Sequence, residues 1–548
     1  MFGAFASLAP PVTAPPKDVP PPTPLNLPQC NPQSAGAISS SSNQDHPSLV
    51  RFLQTLHRPA EVNESHFAAL GVRVHVDAPA EHVVPDPLYL PSASGWDGID
   101  LDEARRRDHT FRTPLSNGRL SPEARVYLER RDELSIANQA AFRTVRRFKP
   151  EPGRPAVRLG NCYEFFRQLE FMATYWDDTS LPPVQDETTE QEQEQEFPTT
   201  MPQRTSYRTA PGSQMPAELR HNLVSAFVKL VSYDFGCNMA PPRVEPRLHL
   251  VEPPSVDTKQ KNGSTLQRSS YFSSGCVFIY RTPTTREAAR AGIVEGPIAA
   301  VSARNTTNFT KPTESSIDFG RELIAALVTA QLRAREGKVE KRSGQGQWWA
   351  TVKRWGGAEG GPIGREVEGD AIVGDKDTFE TENPREAGPS ADAPSSSADK
   401  PVVQEPGYPR GIPVRGAPLN KRPRKALSVY DRYRMVRLPS SNWDKKARYE
   451  AIGKIKGAGF DDAFVISSLF HHLCVLRVRV PDRLLKVLDG AEEEEGGRCS
   501  WDKLEIWRSK WFDLFVPEQR LEAMRLLWGV MSWSMRKMDR GDEVMQDA

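Results

Sequence analysis

Apolar residues recur along this chain with two periods, and long polar runs separate the stretches that carry them. In "HPSLVRFLQTLH" Leu49, Phe52 and Leu56 share one helical face, which predicts a short helix. "GVRVHV" alternates and predicts a strand. "LSPEARVYLERRDELSIANQAAFRTVRRF" offers Ser121 as N-cap, Pro122 at the first helical position and Glu123 against the helix dipole, so a helix follows. "NCYEFFRQLEFMATYW" brings Phe165, Leu169 and Met172 to one face, with Phe166 and Phe171 widening the stripe. "MPAELRHNLVSAFVKLVSYDF" resumes the helical period at Leu223, Phe227, Leu230 and Val231. "SGCVFIYRT" and "GPIAAVSA" are short, apolar and bounded by Gly, Ser and Pro, which predicts two strands of one sheet. "SSIDFGRELIAALVTAQLRAREGK" then predicts an amphipathic helix ending near Gly337.

Near the C-terminus, "CSWDKLEIWRSKWFDLFVPEQ" places Leu504, Trp507, Trp511 and Leu514 on one helix face. Pro517 closes that helix and opens another, with Leu521, Met524, Trp528, Met531 and Met535 inward. Trp501 and Trp533 fall off these stripes and are expected to stay partly exposed for a partner. The fold expected is α+β and multi-module. Residues 1–46 are disordered, 47–154 form a mostly helical N-terminal segment, and 155–356 form an α+β module with a small sheet and disordered inserts at 182–212 and 252–268. A disordered linker at 357–427 leads to an all-α C-terminal domain at 428–540.

Composition agrees with such linkers. Hydrophobic residues make up 38% of the 548, and there are 48 prolines, on the polar side of the ~45–50% apolar content usual for globular chains. The net charge of +1 says nothing of partners. None of the six cysteines forms a CxxC pair, which fits free thiols in a reducing compartment. No apolar run approaches the ~18–20 residues of a membrane span, so no membrane contact is expected.

Catalytic signatures are few. The tripeptide "DFG" occurs at Asp234 and at Asp318, without the catalytic or phosphate loops that give it meaning in kinases. Asp177 and Asp178 could hold a magnesium ion only if a third oxygen ligand converged. His471, His472 and Cys474 lack the paired spacing of a zinc site. The reading is therefore non-enzymatic, with no catalytic residue, metal or cofactor assigned; a divergent metal-dependent hydrolase is the second alternative.

Local charge is more informative. Between Lys421 and Lys456 stand twelve Lys and Arg against three acids, a local charge of +9, interleaved with Tyr430, Tyr433, Trp443 and Tyr449. Cations neutralise phosphates and aromatic faces stack on unpaired bases. Lys445, Lys446, Arg448, Lys454 and Lys456, with Gly457 and Gly459, are the candidate nucleic-acid contacts. Lys421, Arg422, Arg424 and Lys425, in "KRPRK", suit a nuclear-import signal.

Within this region "IGKIKGAGFDDAFVI" resembles the helix-hairpin-helix motif of DNA-binding proteins, with Ile452, Ile455, Ala463 and Ile466 flanking Gly457-Ala458-Gly459. The resemblance implies a glycine turn whose backbone N–H groups approach a phosphate at a helix N-terminus. Asp461 and Asp462 depart from the pattern, since there they would repel phosphate. The function expected is a nuclear protein that binds DNA or RNA through residues 420–460. The alternative is an adaptor, nuclear or cytoplasmic, whose helical C-terminal domain binds other proteins.

Overall fold

The computed structural model describes residues 20–30, 32, 48–56, 61–107, 114–116, 119–150, 153, 155–182, 204–239, 247–253, 269–272, 274–281, 287, 293–304, 309–336, 448–493, 501 and 503–537. The segments expected to be disordered lie wholly or partly outside these residues. The helices, in chain order, begin with α1 (Leu49–Gln54), α2 (Glu64–Ala69), α3 (Ala80–Val83) and α4 (Leu101–Arg107). They continue with α5 (Ala124–Leu134), α6 (Asn138–Val145), α7 (Tyr163–Met172), α8 (Ala217–Ser232), α9 (Pro312–Ala334), α10 (Asp482–Leu488) and α11 (Pro517–Met535). The strands are β1 (Val72–His75), β2 (Cys237–Met239), β3 (Leu248–Val251), β4 (Ser269–Phe272), β5 (Val277–Arg281) and β6 (Ile293–Arg304). After the residues not described come β7 (Arg448–Glu450), β8 (Phe460–Leu469), β9 (His472–Pro481), β10 (Leu504–Arg508) and β11 (Phe512–Asp513).

The expected all-α C-terminal domain is not what forms. Residues 448–513 supply strands to a mixed nine-stranded sheet ordered β1-β10-β9-β8-β6-β5-β2, with β7 against β6 and β11 against β9. Nor is the sheet a small one confined to the middle of the chain: its strands come from both ends. β8 runs parallel to β6 and antiparallel to β9. Alternate residues of β8 enter opposite cores, Ala463 and Val465 on one side and Phe464 and Ile466 on the other. A strand buried on both faces has no polar face to reveal its period. The helix-hairpin-helix resemblance fails for this reason: Ile452–Ala458 is irregular, and Phe460–Leu469 is a strand where the second helix was expected. "LEIWR" is likewise strand β10, with Leu504 and Ile506 in the core and Glu505 and Trp507 on the opposite face.

Helices cover both faces. α9 packs across β6 and β8 beside α10 and the β3–β4 hairpin, while α5, α8 and α11 lie in the layer opposite. Small residues line the first seam, Ala300 and Ala463 on the sheet and Ala325, Ala326 and Ala330 on α9, so helix and sheet approach closely. Buried guanidinium groups fix α9 at each end. Arg304, ending β6, reaches Asp318 Oδ1 at 2.5 Å, Glu322, and Ser467 Oγ at 2.5 Å. Arg333, in the last turn, reaches Asp461 Oδ1 at 3.0 Å and the carbonyls of Pro297, Ile298 and Asp462 at 2.9, 2.6 and 3.2 Å.

Of the seven described tryptophans, four are buried: Trp176, Trp501, Trp528 and Trp533. Trp528 meets Tyr127 and Phe235 edge-on, with ring centroids 5.3 Å apart in both pairs. Trp501, expected to be partly exposed, is 2% exposed, and its indole N–H donates to the Leu70 carbonyl; Trp533 is also buried. Cys30, Cys162, Cys237, Cys276 and Cys474 are buried free thiols. Among the described residues no helix is long and apolar enough to cross a membrane.

Candidate nucleic-acid interface

The sequence-derived contacts separate once placed. Lys421, Arg422, Arg424, Lys425, Lys445 and Lys446 lie outside the described residues. Arg448 begins β7, which pairs alongside the first residues of β6. Lys454 is held by Asp482, Nζ to Oδ1 at 2.7 Å, while Lys456 is exposed. Gly457 takes a left-handed backbone (φ 82°) in the loop before β8, and the Gly459 carbonyl accepts from the Asp482 N–H at 2.8 Å. No helix begins at this turn, so it aims no N-terminal dipole at a phosphate.

Asp461 and Asp462 do not face solvent either. Asp461 is buried against Arg333, and burial pushes its carboxyl above the usual range while Arg333 pulls it down. Asp462 points to the other face of the sheet. There it accepts from Arg477 (Nε 2.9 Å, Nη2 3.0 Å) and from Arg479 (Nε 3.2 Å, Nη2 3.4 Å). Asp462 and Glu505 thus face three guanidinium groups, those of Arg73, Arg477 and Arg479.

The register explains what gathers around it. β1 pairs with β10 so that His75 stands opposite Trp507 and Arg73 opposite Glu505. β10 pairs with β9 so that Trp507 meets Arg477 and Glu505 meets Arg479. Side chains directly opposite on one face are the nearest neighbours a sheet provides. A ladder of rings and cations therefore crosses four strands. His75 stacks on Trp507 with centroids 5.4 Å apart and planes 14° apart. The Arg477 guanidinium carbon lies 4.4 Å from the Trp507 centroid, and that of Arg479 lies 4.1 Å from the Phe460 centroid. Burial lowers the Arg477 pKa, an effect that Asp462 opposes. The Arg477 Nη1 donates to the His82 carbonyl of α3 at 3.0 Å, so α3 covers that end. Arg73 is exposed, and the side chains of His75 and Arg479 are 36% and 32% exposed.

Sequence reasoning missed this ladder. Its signal was "GVRVHV" and "LEIWR", two alternating stretches whose outward positions are Arg73, His75, Glu505 and Trp507. Only their pairing, across 432 positions in Val72↔Leu504, makes them one surface. The carboxylates weighed for metal also separate. Asp177 pairs with Arg208 at 2.9 Å, whereas Asp178 accepts from Asn138 at 2.9 Å and from Ser180. Cys474 lies in the core on the α9 side of the sheet and joins no histidine cluster among the described residues. Comparison with known proteins finds no matching family, curated protein or solved structure.

Proposed function

We propose that the protein binds single-stranded nucleic acid, the ladder face taking bases and the basic segment at 420–460 taking phosphates. The observation that carries this reading is the row His75–Trp507–Arg477, with Arg479 beside it. Arg477 is itself buried under α3, and the partly exposed His75, Trp507 and Arg479 side chains are the part of the row that suits unstacked bases, with Arg73 and Arg479 supplying charge for the backbone. The basic segment enters the fold at β7, which pairs with Ile293–Glu295 of β6, and β8, which carries Phe460 and Asp462 of the ladder face, pairs further along the same strand, from Ala299 to Arg304. The reading keeps the nuclear location, with Lys421, Arg422, Arg424 and Lys425 as the import address.

The test is fluorescence anisotropy of a labelled single strand and a labelled duplex, titrated with the full chain at about 50 and 200 mM salt. A fragment starting near residue 415 would lack β5, β6 and α9, so it is unsuitable. Preference for the single strand, with affinity falling steeply between the two salts, supports the reading. Absence of binding at the lower salt refutes it.

A further inference from the structure

The opposite end of the β8–β9 hairpin carries a different cluster, independent of the ladder. Phe470 and His471 form the turn, and Phe470 holds a left-handed backbone (φ 52°) that bulky residues rarely adopt. Strand β11 pairs with β9 so that Asp513 stands opposite His472. Ligand atoms of His471, His472 and Asp513 all lie within 4.8 Å of one another. His471 is 4% exposed, its ring packed against His472, Phe515 and Trp176 at centroid distances of 4.3, 5.0 and 5.3 Å.

Two features distinguish this cluster from histidines serving only as core. The buried Nδ1 atoms of both His471 and His472 have no hydrogen-bond partner, although buried polar atoms nearly always find one. Asp513 is already oriented. Its Oδ1 accepts from the Phe515 N–H at 2.9 Å, its Oδ2 accepts from Thr179 Oγ1 at 2.5 Å, and its own N–H donates to Gln519 at 2.8 Å. Such outer contacts fix a metal-binding carboxylate.

We propose that His471, His472 and Asp513 form a site for one divalent transition-metal ion, of which zinc is the probe. Two imidazole nitrogens and one carboxylate oxygen make the donor set of three-ligand zinc sites and of non-haem ferrous sites, and leave a coordination position open. The His472 side chain, 18% exposed, gives the site a solvent-facing side. A bound ion would join the hairpin turn to β11, where His472 Nε2 already lies 3.9 Å from Asp513 Oδ2.

The experiment uses the full chain, loaded with zinc, dialysed against metal-free buffer and analysed for metal, with cobalt(II) absorption as a second readout. One zinc per chain is expected in the wild type, with affinity lower by ~10-fold or more in His471→Ala and Asp513→Asn. Should His471→Ala fail to fold, His472→Ala carries the same expectation at a more exposed position. The cobalt spectrum should show nitrogen and oxygen donors without a sulfur charge-transfer band. Three results each overturn the proposal: a wild type that retains no zinc, folded variants that retain it unchanged, or a sulfur band placing the ion on cysteines.

Discussion

Arg333→Met should destabilise the fold by about 3–5 kcal/mol, the cost of leaving a buried charge without its partner. The site is dry: the side chains of Arg333 and Asp461 are 1% and 0% exposed. The substitution strands the Asp461 carboxylate, and the carbonyls of Pro297, Ile298 and Asp462 lose the guanidinium as a donor. Methionine fills much of the volume but donates nothing. Burial already raises the Asp461 pKa, and losing Arg333 should raise it further. A carboxyl with a folded pKa above its unfolded one contributes stability below the unfolded value and loses it as pH rises through the folded value. The deficit should therefore be smaller near about pH 4 than near about pH 7. Urea unfolding followed by tryptophan fluorescence at both pH values measures it. The double variant Arg333→Met/Asp461→Leu, which removes both charges, should recover most of the loss. A deficit below about 1 kcal/mol, or a double variant no better than the single one, refutes the reasoning.

Four further outcomes are expected. Trp528→Ala, which opens a cavity beside Tyr127 and Phe235, should cost about 3–5 kcal/mol in the same assay. Lys456→Ala should weaken single-strand binding and reduce the salt slope by about one. Lys454→Ala, whose charge already serves Asp482, should change that slope little and cost under about 1 kcal/mol of stability. Replacing Lys421, Arg422, Arg424 and Lys425 together by alanine should shift a fluorescent fusion out of the nucleus, as imaging would record.

How far the sequence discloses this fold depends on how many faces of each element are buried. β1, β5 and α9 were legible from "GVRVHV", "SGCVFIYRT" and "SSIDFGRELIAALVTAQLRAREGK", and α11 from Pro517 and its apolar stripe. β8 was not, because two covered faces leave it no polar face to reveal its period, whereas the alternation of β9 is confined to "RVRV". The glycines at 457 and 459 then imitated a turn between helices. In "LEIWRSKWFDLF" the spacing of Leu504, Trp507, Trp511 and Leu514 fits a helix by coincidence, whereas pairing with β1 and β9 selects a strand. The candidate interface was legible only as a local excess of charge. The rest of it depends on contacts between residues far apart in the chain, such as His75 with Trp507, and no local pattern encodes these.

The most direct measurement of the central claim is photocrosslinking of the full chain to a single strand carrying a halogenated base, followed by peptide mapping. The ladder account predicts crosslinks in the peptides containing His75, Trp507 and Phe460, diminished by the double variant Arg73→Ala/Arg479→Ala. Crosslinks confined to residues 421–447, or unchanged in that variant, would contradict it.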